Sequence, residues 1–294
     1  MAKGISLHVG LNILHPIAFG SDPLLGCVND ARAMSDIANS QGFSKREILL
    51  DQDATIDRVV DKLKQAAPEL KSGDILLFTF AGHGTYLGDE DFDELDLRDE
   101  TLVLYDFMLI DDVLRRDVWP RFDPGVRILM VADSCNSGSV SGFAAQAATS
   151  VRKTEHLVLG DFQMSTTTEI SRSATDRSRV REISETTKAL HLAQYRDFYE
   201  KMLHALPDPT PPINASVLLL AACEDHESAA DRPSHGVFTD ALLQVWNGGN
   251  FAGNYGEFRT AIAARIPAGL TQHPVLTLIG QPNAAFLRQR PFRI

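Results

Sequence analysis

Two apolar runs, "DILLFTFAG" (74–82) and "VRILMVADSC" (126–135), constrain this chain more than any other feature. Neither alternates between apolar and polar residues, as a strand with one wet face would. A run apolar on both sides must be covered on both sides, which is the situation of central strands in a parallel sheet. Shorter segments supply the rest of the rhythm. "ISLHVGLNI" (5–13) and "REILLDQ" read as strands, and each is followed by a helical period. In the first helix Val28, Ala31, Met34, Ile37 and Ala38 share a face and a glycine ends the segment at 42. In the second Ile56, Val59, Val60 and Leu63 share a face, with Thr55 as N-cap.

This βαβα order predicts an open, mostly parallel sheet with helices on both faces, an α/β/α sandwich. Further on, "ASVLLLAACED" reads as a strand, "GVFTDALLQVWN" and "EFRTAIAARI" as helices, and "HPVLTLIG" as a closing strand. Between them, from about 144 to 205, Ser, Thr and Arg dominate without a clear period. That stretch is expected to be an irregular surface insertion in a single domain spanning 1–294.

Composition narrows the function. A net charge of −11 over 294 residues argues against nucleic-acid or anionic-membrane partners and favours a cationic ligand. No window approaches the length of a membrane span, and the N-terminus lacks the layout of a secretory signal. Cys27, Cys135 and Cys223 are odd in number and far apart, which fits a reducing, cytoplasmic setting without disulfides.

Chemistry concentrates where the two long runs end. His83 stands between Gly82 and Gly84, and Cys135 ends "DSC" fifty-two residues later. Each alone reads as a turn histidine or a buried thiol. At the tips of neighbouring strands, about 4.8 Å apart, they can share one cleft. Imidazole and thiol then form a minimal base and nucleophile, with the backbone N–H groups of Gly84 and Cys135 free to meet an oxyanion.

With those residues in view, "FTFAGHGT", "VADSCNSGS", "LLGCVNDARAM" and "AACEDHESAADRPSHGVFTDALLQ" resemble the metacaspase and orthocaspase branch of the caspase-like cysteine peptidases. The resemblance runs from the first strand to the last helix, apart from 144–205. It implies a peptidase with His83 as base and Cys135 as nucleophile, acting on protein or peptide substrates with Arg or Lys before the cut. Cys27, Asp30 and Asp133 match the family's basic-residue pocket, and Asp225 matches a position lining the substrate groove. Paired carboxylates suit a guanidinium and repel an acidic side chain. Ala81 replaces the small hydroxyl residue that the family usually has two before the histidine.

No cofactor is required by this chemistry. The resemblance also implies a calcium site on Asp99, Asp111 and Asp112, although the further carboxylate the family often has is Gly142 here. The acidic run after His83 therefore reads either as part of a calcium site or as a solvated loop. If the enzyme cuts after basic residues, then Arg152, Lys153, Arg172, Arg177, Arg179 and Arg181 are candidate self-processing positions. Cys223 is assigned no chemistry, and His226, His235 and His273 are read as ordinary surface or core histidines. The family resemblance suggests a monomer. The competing reading is a catalytically silent caspase-like scaffold that binds a partner through an acidic cleft.

Overall fold

The structure is a computed structural model, and it describes residues 2–87, 99–135, 179–224 and 227–294. Its centre is a six-stranded sheet. In chain order the strands are β1 (Gly4–Gly10), β2 (Lys45–Leu50), β3 (Ile75–Ala81), β7 (Arg127–Asp133), β9 (Ser216–Ala221) and β11 (Val275–Gly280). Across the sheet they lie in the order β11-β9-β7-β3-β1-β2. All neighbours pair parallel except β11, which runs antiparallel to β9. Every residue of β1, β3 and β9 is buried, which is why these segments read as unbroken apolar runs.

Two cores lie on the two faces. On one, Leu7, Val9, Phe78, Phe80 and Met130 pack with Ile56, Val59 and Leu63 of helix α2 (Ile56–Ala66). On the other, Leu77, Leu129, Val131 and Leu218 pack with Met34 and Ile37 of α1 (Cys27–Ser40). Phe238 and Leu242 of α4 (Val237–Trp246) and Phe258 of α5 (Tyr255–Ala263) complete that face. Truncating one such buried aromatic would cost about 3–5 kcal/mol. Thr55 does sit at the N-cap of α2, but its side chain makes no capping bond. Asp106 accepts the Ile56 N–H instead, at 2.9 Å.

Smaller elements frame the C-terminal edge of this sheet. β4 (Gly84–Leu87), β5 (Asp99–Val103) and β6 (Met108–Ile110) form an antiparallel three-stranded sheet directly after β3. β8 (Arg179–Val180) pairs antiparallel with β10 (Ala230–Asp231).

One expectation is corrected. The last third of the segment read as irregular contains helix α3 (Glu185–His204), capped by the Ser184 side chain. Its buried residues Lys188, His191, Leu192 and Tyr199 keep a helical spacing. Two of the four are polar types, so the period was hidden from a search for apolar residues. Residues 144–178 lie outside the described residues. Among the described residues, no helix is long and apolar enough to cross a membrane.

Strand order also fixes where a site can form. The chain passes from β1 outward to β2, then returns to the other side of β1 with β3. In open α/β sheets the crevice at such a reversal, beyond the carboxyl ends of the strands, is where ligands bind.

Candidate active site

The register of β3 and β7 pairs Ala81 with Asp133. His83 and Cys135 each follow two residues later, so the pairing brings them level at the same edge. Both are buried. His83 Nε2 lies 2.9 Å from the carbonyl oxygen of Asp22, in the loop after β1. A carbonyl only accepts, so this nitrogen carries the hydrogen and Nδ1 keeps the lone pair. Nδ1 is buried and has no hydrogen-bond partner among the described residues. It is therefore the atom available to take a proton.

Burial holds the His83 pKa below the usual imidazole value, with the Asp22 carbonyl pulling the other way. Burial likewise pushes the Cys135 thiol well up, and nearby Cys223 adds to the rise. Cys135 Sγ accepts the Ala229 N–H at 3.1 Å and donates to the Ala229 carbonyl at 3.8 Å. In this state thiol and imidazole are both neutral, and His83 Nδ1 has no hydrogen-bond partner among the described residues.

Beside them a pocket closes around a guanidinium supplied by the chain itself. Arg181 is fully buried. Its Nη2 lies 2.5 Å from Asp30 Oδ2 and 2.8 Å from Asp231 Oδ1, and its Nη1 lies 3.0 Å from Asp133 Oδ1. Nη1 also donates to the Asp133 carbonyl at 2.8 Å. The first turn of α1 supplies Asp30, the end of β7 Asp133, and β10 Asp231.

Each carboxylate is oriented by a second set of donors. Leu25 and Gly26 donate their N–H groups to Asp231, and Thr239 donates N–H and Oγ–H to Asp133 at 3.1 and 2.6 Å. His235 Nδ1 meets Asp30 Oδ1 at 2.8 Å. Cys27 Sγ reaches Asp231 Oδ1 at 4.0 Å.

The electrostatics are those of crowded anions around one cation. Burial pushes the Asp133 carboxyl up, to about 6, with Arg181 working against the rise and Asp30 adding to it. Burial opposes the charge of Arg181, yet Asp133, Cys27, Asp30 and Asp231 together hold its pKa above the ordinary value. The hydrogen bond to Asp30 raises His235.

The backbone around Arg181 is held as firmly as its side chain. Its carbonyl oxygen accepts the N–H of Gly84 at 2.9 Å and of Cys135 at 3.3 Å, and its own N–H donates to Ala229 O at 2.9 Å. Immediately before it, Val180 pairs with Ala230 and Arg179 with Asp231. The two N–H groups suited to an oxyanion thus converge on one carbonyl.

Other candidates fall elsewhere. Asp111 and Asp112 begin a helical turn after β6. Asp112 gives one oxygen to Arg115 and the other to Arg116, at 3.1 and 3.2 Å. Among the described residues no three His, Cys, Asp or Glu converge as a metal site. The Asp99 side chain, the acidic run, Gly142, Asp225, His226, Arg152, Lys153, Arg172 and Arg177 lie outside what the structure describes. Arg179 is exposed and donates to the Pro23 carbonyl. Cys223 is buried and donates to the carbonyls of Ser134 and Glu227, a structural thiol. His273 is a surface partner of Glu227.

Sequence reasoning missed Asp231, His235, Thr239 and Gly236. Gly236 forms the wall against the guanidinium: a Cβ there would lie 2.6 Å from Arg181 Nη2.

Sheet order, flanking helices and the edge site together define a caspase-like α/β/α fold. Comparison with known proteins agrees. The peptidase family model described as the caspase domain matches residues 10–280. Protein GSU0716 of Geobacter sulfurreducens, known from its crystal structure, superposes with a TM-score of 0.79 at 32% identity, over 99% of each chain. Metacaspase-1 of Kluyveromyces lactis is 25% identical over 275 residues, covering 81% of this chain and 56% of that protein. Metacaspase-4 of Arabidopsis thaliana is 36% identical over 126 residues, 40% of this chain and 30% of that protein. The chain therefore belongs to the caspase-domain cysteine peptidases, with metacaspases among its relatives. It matches little more than half the length of the first metacaspase and under a third of the second.

Proposed function

We propose that this chain is a cysteine endopeptidase cutting after arginine or lysine, with Cys135 as nucleophile and His83 as general base. The observation that carries the reading is the seating of Arg181. Three carboxylates grip its guanidinium while its carbonyl rests on the N–H groups of Gly84 and Cys135. A pocket of that charge selects a basic residue before the cut and repels aspartate by like-charge juxtaposition. The paired N–H groups stabilise the oxyanion of the tetrahedral intermediate, worth on the order of 10²–10³ in rate per donor.

His83 supports the enzymatic reading over a silent scaffold. A binding module gains nothing from an imidazole whose Nε2–H is fixed on Asp22 O and whose Nδ1 is left available. Three free, buried cysteines support a reducing compartment such as the cytoplasm. The chain is read as a monomer, which size-exclusion chromatography checks.

Fluorogenic peptides ending in Arg, Lys or Asp test the proposal directly. Arg and Lys peptides are expected to be cut and Asp peptides not, and Cys135→Ala to abolish turnover. Preference for Asp, or equal turnover by Cys135→Ala, would overturn it.

A further inference from the structure

We propose that His235 sets how strongly the acidic pocket selects a basic residue, by exchanging a proton against the guanidinium that the pocket holds. The inference deepens the reading of Asp30, Asp133 and Asp231 as the specificity pocket and rests on it. It adds a positioning residue and a pH range in which selectivity changes.

The two oxygens of Asp30 face different partners. Oδ2 lies 2.5 Å from Arg181 Nη2 and accepts the Gly236 N–H at 3.2 Å. Oδ1 lies 2.8 Å from His235 Nδ1. A carboxylate only accepts, so Nδ1 carries a hydrogen and Nε2 is the nitrogen that gains or loses one. The His235 side chain keeps 26% of its surface exposed, against 1% for Asp30 and 0% for Arg181. Water therefore reaches the imidazole but not the ion pair behind it. A histidine that only fastened its loop would have no need of this position. The loop is already pinned to α1 one residue before Asp30, where Asn29 Nδ2 donates to Ser234 O at 2.9 Å.

Charge makes the position matter. Three carboxylates face one guanidinium, which leaves two negative charges over in a place where unpaired charge is costly. A proton on His235 offsets one of them. The charged groups facing the imidazole are Asp30 of α1, Asp240 of α4 and Arg181. The hydrogen bond to Asp30 raises the imidazole above its usual pKa and burial opposes the rise. The charges of Asp30 and Asp240 add to it, and Arg181 works against it.

That last effect is the coupling. A guanidinium on one oxygen of Asp30 disfavours the proton held beside the other, and by linkage the proton weakens the grip on the guanidinium by the same factor. A neutral side chain in the pocket feels no such repulsion. Above its pKa His235 is neutral, and the pocket prefers a cation most strongly. As pH falls through that value, the preference declines. Asp133, with its carboxyl at about 6, adds a smaller slope of the same sign. It is enclosed, with Oδ2 committed to Thr239.

The test measures kcat/KM for a fluorogenic Arg peptide and for the same peptide with citrulline, the uncharged counterpart of arginine, from about pH 8.5 to about pH 5.5, a range that brackets the imidazole pKa. Steps common to the two peptides, the titration of His83 and Cys135 included, cancel in the ratio. The wild-type Arg-to-citrulline ratio is expected to fall about tenfold across that range, within the span of ordinary couplings between sites. His235→Asn keeps a donor for Asp30 and cannot titrate. It is expected to match the wild-type ratio at the alkaline end and to lose more than half of the fall on a logarithmic scale. His235→Leu, without the donor, is expected to have a lower ratio throughout. A flat wild-type ratio well above one, or an unchanged slope in His235→Asn, would overturn this proposal alone. A ratio near one at every pH, or no cleavage of either peptide, would overturn both it and the pocket reading beneath it. Should the variants not fold, the wild-type profile at two temperatures decides. An imidazole midpoint moves to lower pH on warming and a carboxyl midpoint does not, so a fixed midpoint would overturn the role of His235.

Discussion

Ser6, His8 and Thr79 lie buried on β1 and β3, on the same sheet that carries the Arg181 pocket at its edge. His8 Nδ1 and Nε2 each meet a hydroxyl at 2.9 Å, Thr79 Oγ1 and Ser6 Oγ. Hydroxyls donate or accept as required, so this neutral knot is complete whichever tautomer the ring adopts. The pocket is built on the opposite plan. Asp30, Asp133 and Asp231 converge where one arginine arrives from a distant part of the chain. Taken without Arg181, it is a set of buried like charges, an arrangement that costs stability unless a cation completes it. A buried polar group that satisfies itself reads as structure. One left with excess charge of one sign reads as a site for something else.

Three substitutions sharpen that contrast on the pocket side, each read as turnover of a fluorogenic Arg peptide. Cys135→Ala is expected to reduce kcat by ~10⁵-fold or more, the scale on which loss of a nucleophile acts, without lowering the melting temperature. Asp30→Asn keeps the shape and removes one charge. It is expected to lower kcat/KM by about 10²–10³-fold, as for loss of one member of a buried charge pair. Gly236→Ala is expected to lower it by ~10²-fold. Its φ of −59° accepts alanine, so the loss would come from the new methyl, 2.5 Å from Asp133 Oδ2 and 2.6 Å from the guanidinium. If Gly236→Ala leaves Arg turnover untouched, the pocket binds its substrate differently from Arg181.

Much of the frame was legible because the central strands have no wet face to interrupt them. The edge pair could be seen for the same reason: His83 and Cys135 follow their strands by the same offset. Asp30 and Asp133 were reached through motif. Asp231 was not, because β10 is two residues long and "AADRPSHG" has no period that marks it as a strand. Arg181 stood among six basic residues that looked alike along the chain. Only the tertiary pocket distinguishes it. Helix α3 was missed because Lys188 and His191 occupy its buried face, and their partners Tyr86 and Ala18 are brought to them by the fold.

The neutral knot carries the smallest expected effect and the sharpest control. Thr79→Val preserves shape and leaves His8 Nδ1 without its partner, so stability is expected to fall by about 1–3 kcal/mol, read as a lower urea midpoint. Turnover of the Arg peptide is expected to stay within twofold, since the Thr79 hydroxyl bonds His8 rather than a residue of the pocket. Acid gives a second reading of the same group. Burial, helped by Arg46, holds His8 at about 3, far below the 6.5 of an unfolded histidine. The unfolded chain therefore binds the proton more readily between those values. The stability His8 contributes is present above pH 6.5 and is lost as pH falls toward 3. His8→Leu is expected to flatten that part of the urea-midpoint profile. A tenfold change in turnover from Thr79→Val would instead show that knot and pocket are coupled through β3, and the contrast between them would fail.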